Sequence, residues 1–207
     1  MWKLLTGITL TFCTFAVTVA PPTKSPVKAP VKPSVSAECC GRMRHGIVAI
    51  GGETTGTTIT FNRIVWELQL HDDDARNFAR KHHSEPIIVT GELRNVAGIE
   101  AKPRWIIDVN SMSKVDPKKH DEGAELTMRG TLRATDGSKN NGDEMAVVVE
   151  DKTWPIDISS DPKLHTNAMA LVGEPIVAKC HVERTDKEDS ASPIIIRVNA
   201  VEHADSE

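Results

Sequence analysis

The chain has 207 residues, of which 39% are hydrophobic and only 4% aromatic, and it contains no tyrosine. That length can bury one large core or two small ones, and the core must consist mainly of aliphatic side chains. The first 37 residues carry four lysines and no acid. From residue 38 onward there are 21 basic and 29 acidic side chains, a formal charge of −8 that argues against a nucleic-acid partner.

Residues 1–20 have the pattern of an export signal. Lys3 supplies a positive n-region, an uncharged stretch follows, and small residues predict cleavage after Ala20 or, alternatively, after Ala16. An uncleaved anchor is the other interpretation, but the stretch is shorter and more polar than the roughly 20 apolar residues that a membrane span needs. We therefore expect a periplasmic or secreted protein with no stable membrane span after signal cleavage.

Residues 21–43 are predicted to be a linker. The part up to Ala37 contains five prolines and three lysines. Proline fixes the backbone in an extended form and removes hydrogen-bond donors, so this composition is typical of a semi-rigid spacer.

Two stretches that follow repeat each other at an offset of 89 residues. The sequence EPII at 85–88 recurs as EPIV at 174–177, and IIDVN at 106–110 recurs as IIRVN at 195–199. Trp66 and Trp154 match at an offset of 88. One small domain is therefore predicted twice, at 44–115 and at 124–203.

The first repeat combines strand and helix patterns. Hydrophobic side chains alternate with others along 64–70, the period of a half-buried strand. Asp72, Asp73 and Asp74 then predict the start of a helix, because acidic side chains cap free N–H groups there. The predicted strands are 47–50, 58–61, 64–70, 87–93 and 105–112.

The second repeat follows the same order. Asp161 and Pro162 predict a helix start, and Gly173 its end. The predicted strands are 126–134, 145–150, 153–158, 175–183 and 193–201. Three strands, one helix and two strands thus occur twice. This order predicts a mainly β protein of two tandem OB-like five-stranded Greek-key barrels, each with one helix between strands three and four. Two β-sandwich domains are the alternative.

The segment HGIVAIGGETTGTTITFNRIVWELQL, residues 45–70, resembles a family of uncharacterised secreted proteins from planctomycete-type bacteria. The strand order is similar to that of exported bacterial OB-fold domains. The resemblance implies export and OB-like architecture, and it implies no particular activity.

A glycine-rich segment between the first two strands is the candidate ligand loop, because such loops border the ligand face of an OB barrel. No Gly-Lys-Ser/Thr follows it, which excludes a phosphate-binding P-loop. The segment consists of Gly51, Gly52, Glu53, Thr54, Thr55 and Gly56.

Three cysteines follow the signal, and outside the cytoplasm they are disulfide candidates: Cys39, Cys40 and Cys180. Pairing of Cys39 or Cys40 with Cys180 would leave one free thiol. A copper or zinc site that adds His45 and His181 is the alternative, but no Cys-x-x-Cys spacing supports it. We expect no bound metal and no cofactor.

The remaining patterns bear on function. Trp66 and Trp154 occupy equivalent positions in alternating strands, so both are expected in the core rather than on a binding face. No nucleophile and base form a recognisable set, so we expect no enzymatic activity. The leading hypothesis is an exported binding or scaffolding module of the bacterial cell envelope that holds a protein or glycan and no nucleic acid. The alternative is a periplasmic metal-handling protein that uses Cys39, Cys40, His45 and Cys180.

Overall fold

A computed structural model describes residues 32–48, 55–96, 103–116, 120–135, 144–159, 161–185 and 194–204. All of them belong to one compact unit, Val31–Glu207. The predicted mainly β class is confirmed. The elements are β1 (Ser34–Val48), β2 (Thr55–Phe61), β3 (Ile64–Gln69), α1 (Asp73–Lys81), β4 (Pro86–Val96), β5 (Arg104–Lys114), β6 (Gly123–Thr135), β7 (Glu144–Val149), β8 (Lys152–Ile156), α2 (Pro162–Ala170), β9 (Pro175–Arg184) and β10 (Ile194–His203).

The ten strands form a single sheet. In the first half, β1 pairs with β2, β2 with β3, β3 with β5, β5 with β4 and β4 again with β1, so the pairings close into a ring. Only the β3–β5 pairing within this ring is parallel. In the second half, β6 pairs with β7 and β9, β7 with β8, and β9 with β10. A parallel bridge between Asp157 and Arg197 joins the end of β8 to β10.

Strands β1 and β6 join the two halves. They run antiparallel, and their register extends from Ser34 opposite Arg129 to Cys40 opposite Gly123. Residues 34–43 were predicted to belong to the linker, but this was wrong, because β1 begins at Ser34. Its alternation explains the strand, because Val35 is buried and the side chains of Ser36 and Glu38 are exposed.

Two glycines at equivalent positions allow the first strand of each half to pack closely on the second. A Cβ added at Gly41 would lie 2.5 Å from the carbonyl oxygen of Thr60, and one added at Gly130 would collide with that of Val148. Gly41 and Gly130 are 89 residues apart, so the sequence repeat extends into β1 and β6.

The two helices follow β3 and β8, and their predicted caps are confirmed. The Asp72 carboxylate accepts a hydrogen bond from the backbone N–H of Ala75 at 2.7 Å, and Asp161 accepts one from Lys163 at 2.8 Å. Pro162 is the first residue of α2. Neither helix in the described part of the chain is long and apolar enough to cross a membrane.

The buried hydrophobic side chains of both halves belong to one cluster. Trp66 is completely buried and Trp154 is 4% exposed, so the expectation that both are core residues is confirmed. Trp105 lies between them, with ring centroids 6.1 Å from Trp66 and 5.4 Å from Trp154. Because Trp105 belongs to the first half and Trp154 to the second, these aromatic contacts link the two cores.

Candidate functional site

The outer face of β1, β2 and β3 carries polar and basic side chains. Ile59 and Phe61 of β2 point inward and are fully buried, so Thr58 and Thr60 lie on the outer side of the same strand. Opposite them on β1 stand Arg44, paired with Thr58, and Arg42, paired with Thr60. On β3, Val65 lies opposite Thr60 and is 58% exposed. Basic, hydroxyl and apolar groups therefore share one accessible surface.

Arg44 and Arg133 are the two cations that the repeat places at the same position, 89 residues apart on the first strand of each half. Both are exposed, and neither side chain makes a hydrogen bond or ion pair with any part of the chain that the structure describes. Arg42 differs, because its Nη1 donates to the carbonyl oxygen of Ser84 at 2.8 Å. The guanidinium groups of Arg44 and Arg133 are thus available to an anionic ligand.

Arg94, in another strand of the first ring, already has partners within the protein. Arg94 on β4 makes a bidentate contact with Asp108 on β5, and its Nη2 also donates to Oε1 of Gln69 on β3 at 2.8 Å. Nε2 of His71 lies 3.3 Å from the same Asp108 carboxylate. This network joins the three strands around the parallel β3–β5 pairing, which is a structural role.

The second half contains the same network with its charges exchanged. Glu183 takes the place of Arg94, Arg197 that of Asp108, and Asp157 that of Gln69. Nη2 of Arg197 lies 3.1 Å from Glu183 and 3.3 Å from Asp157.

Hydrogen bonds set the charge state of Asp157 within this network. Burial alone would raise its pKa, but the hydroxyl and backbone N–H of Ser159, together with the charge of Arg197, lower the pKa below its usual 3.8. The two Ser159 hydrogen bonds measure 2.6 and 2.9 Å. The carboxylate therefore stays ionised at neutral pH.

The three predicted disulfide cysteines are free thiols in this structure. Cys39 is on β1 and Cys180 on β9, and β6 lies between these strands. Two strand spacings of about 4.8 Å exceed the roughly 7 Å that a disulfide allows between Cα atoms. Burial raises the pKa of Cys180 to about 12, with a smaller effect from Glu125. Burial also raises the pKa of Cys39 well above its usual 9.0.

The alternative metal site is not assembled either. Nδ1 of His45 lies 2.7 Å from the hydroxyl of Thr57, on the part of β1 that pairs with β2, whereas Cys180 lies on β9. Within the described residues, no group of three or more histidine, cysteine or acidic side chains could hold a metal ion.

Most of the candidate ligand loop falls outside the described residues. Of its six residues, Gly51, Gly52, Glu53 and Thr54 lie there, while Thr55 and Gly56 begin β2 opposite Val48 and Ile47. Arg44 and Arg133 were not among the site residues predicted from the sequence. The repeat itself carries the signal that could have found them, since the same charged residue recurs at the offset that relates the buried positions.

Comparison with known proteins gives a likeness of fold. The chain is similar to the crystal structure of a deletion mutant of the single-stranded DNA binding protein from Thermus aquaticus, with 10% sequence identity and a TM-score of 0.52. The alignment covers 83% of this chain and 95% of that one. At this identity the likeness supports an OB-type, barrel-like architecture. No protein-family model matches the sequence, and no curated protein matches it.

This finding corrects two predictions. The sequence was interpreted as an envelope binding or scaffolding module for a protein or glycan, or else as a metal-handling protein, and nucleic acid was excluded as a partner. Those predictions were wrong, because a similar fold is that of a protein described as binding single-stranded DNA. The error lay in using net charge, which is a sum over all residues from 38 onward and does not report the charge of one face.

Proposed function

We propose that the protein binds single-stranded nucleic acid on the outer faces of two OB-type barrels, each with one helix between its third and fourth strands. The observation that carries the proposal is the pair Arg44 and Arg133, at equivalent positions on the first strands, whose exposed side chains have no partner among the described residues. The likeness of fold to a single-stranded DNA binding protein supports the same ligand class. Its action would be binding without catalysis.

Electrostatics favour a weak and salt-sensitive interaction. Lysine and arginine contacts to phosphate release counterions, so each contact to a single strand adds about −0.7 to the slope of log affinity against log salt. The formal charge of −8 from residue 38 onward opposes the approach of a polyanion. Binding should therefore depend strongly on the few cations that face the strand.

Base contacts on this face would not need an exposed tryptophan. Trp66 and Trp154 are buried, but an arginine guanidinium plane can stack on an unpaired base while its N–H groups reach phosphate. Val65 offers an exposed apolar side chain beside Thr60. Arg44 with its neighbours thus combines a charge, a flat stacking surface and an apolar contact.

Fluorescence anisotropy with a labelled oligo-dT tests the proposal. We expect Arg44→Ala and Arg133→Ala each to weaken binding about three- to ten-fold at low salt and to reduce the salt slope by about 0.7. Lys179→Ala is the matched control. It removes one exposed positive charge from β9, which pairs with neither β7 nor β8.

Two results would contradict the proposal. One is the absence of oligo-dT binding by the unmodified protein at low salt. The other is an equal loss of affinity in Lys179→Ala and in the two arginine variants. That result would show that net charge alone, and not the position of the arginines, determines affinity. Residues 1–20 lie outside the described residues. The export signal and the periplasmic or secreted location therefore stay predictions.

A further inference from the structure

The two halves contact each other reciprocally through their β2–β3 and β7–β8 turns. Nη1 of Arg184, at the end of β9, donates to the carbonyl oxygen of Arg63 in the β2–β3 turn at 3.4 Å. Nζ of Lys152, at the start of β8, donates to the carbonyl oxygen of Asn95 near the end of β4 at 2.7 Å. Asn95 and Arg184 are equivalent positions of the repeat. Each turn therefore lies against the fourth strand of the other half.

A cavity of about 490 Å³ opens at the contact between the β2–β3 turn and β9. Arg63 and Arg184 both line it, and neither has a carboxylate partner among the described residues. Glu183 also lines it, but this carboxylate is already held by His181 at 2.9 Å and by Arg197. The complete lining is Asn62, Arg63, Glu122, Val182, Glu183 and Arg184.

The turn that presents Arg63 has an unfavourable sequence for its backbone. Asn62 has φ 46° and Arg63 has φ 62°, so both are left-handed. Asparagine tolerates that conformation, but the second position of such a turn favours glycine, and an arginine there lowers stability. A side chain kept at a strained position points to a role that stability does not explain.

We propose that this cavity binds a phosphodiester group of the single strand, and that Arg63 of the first half is a nucleic-acid-binding residue for the second. The inference rests on the proposed function. The cavity adjoins the end of β9, and the connection after the fourth strand borders the ligand face of an OB barrel. Arg63 and Arg184 place two guanidinium groups at this point, which suits a phosphate oxygen.

Among the described residues, a pair of guanidinium groups occurs at only one of the two reciprocal contacts. The residue equivalent to Arg63 in the β7–β8 turn is Asp151, which would repel a phosphate. The strand should therefore be held more tightly where it passes the end of β9 than where it passes the end of β4.

The variant Arg63→Gly separates binding from folding. Glycine suits the left-handed backbone, so we expect a higher melting temperature. Loss of the guanidinium should weaken oligo-dT binding about three- to ten-fold and lower the salt slope by about 0.7. Glu150→Gly is the control, because Glu150 has φ 56° in the equivalent turn and carries no positive charge. It should raise stability without weakening binding.

A second variant should act in the opposite direction. Glu122→Gln removes an exposed negative charge from the cavity wall, and we expect it to tighten binding. Unchanged affinity and salt slope in Arg63→Gly, while Arg44→Ala and Arg133→Ala weaken binding, would overturn this inference and leave the proposed function intact. No binding by the unmodified protein would overturn both.

Discussion

At the scale of single residues, the repeat distinguishes two kinds of shared position. Gly41 and Gly130 are shared because a side chain would collide with the neighbouring strand. Arg44 and Arg133 are shared although their side chains are exposed and make no hydrogen bond or ion pair with the described residues. Packing explains the first pair and leaves the second unexplained, which is the reason for proposing that the arginines bind a ligand.

The cysteines give a residue-scale prediction. Burial raises the pKa values of Cys39 and Cys180, while Cys40 is half-buried and its pKa is raised by burial and by nearby acids. The thiolate is the reactive form, so in native protein at pH 8 iodoacetamide should modify Cys40 first. Cys39 and Cys180 should react only after denaturation. Peptide mapping by mass spectrometry reads each site separately.

The same shifts predict a loss of stability in alkali. The folded protein favours the neutral thiol of Cys180. Its contribution to the free energy of unfolding is fully present below the usual pKa of 9.0 and is lost as the pH rises toward about 12.

In the labelling experiment, modification of Cys180 as fast as Cys40 in native protein would contradict the burial of Cys180.

At the scale of elements, the exchanged charges around the β3–β5 and β8–β10 junctions favour correct strand pairing. Within each half an arginine meets a carboxylate: Arg94 with Asp108, and Arg197 with Glu183. If β4 paired with β10 instead, Arg94 would face Arg197, and if β9 paired with β5, Glu183 would face Asp108. Like charges oppose such exchanges between tandem repeats.

Charge reversal in the first half tests this arrangement. Arg94→Asp and Asp108→Arg should each destabilise the protein, because each places like charges together, and the double variant should recover part of the loss. We expect a coupling of about 1 kcal/mol from a double-mutant cycle in urea unfolding. The exposed pair Arg76 and Asp73 on α1 is the control and should show weaker coupling. Equal coupling in both pairs would contradict a special role for the network.

The elements also show what the sequence could predict. Alternation and capping located β3 and both helices, since those signals are local. The beginning of β1 was missed because Pro33 and the lysines before it indicate a spacer, while the strand depends on pairing with β4 and β6, which are distant in sequence. The basic surface was missed for a related reason, because only the folded strands bring Arg44 beside Thr58.

At the scale of the whole molecule, the halves share one sheet and one core. The β1–β6 pairing and the Trp105–Trp154 contact both cross the boundary between the repeats. Two domains joined only by a linker would unfold independently, whereas a continuous sheet and core favour one cooperative transition.

A matched pair of core variants tests this cooperativity. Met43 and Leu132 are equivalent positions of the two halves, and both are completely buried. Met43→Ala and Leu132→Ala should each cost about 2–5 kcal/mol. Each would be made in two single-tryptophan backgrounds, with Trp2 and Trp105 replaced by phenylalanine in both. One background also replaces Trp154 and reports through Trp66, and the other replaces Trp66 and reports through Trp154.

Because the halves are coupled, each alanine variant should shift the urea midpoint equally for both reporters, although only one reporter lies in the altered half. If Leu132→Ala shifted the Trp154 transition and left that of Trp66 in place, the halves would be independent. The β1–β6 pairing would then contribute little to stability. The shared sheet instead predicts that damage to either core destabilises both halves together.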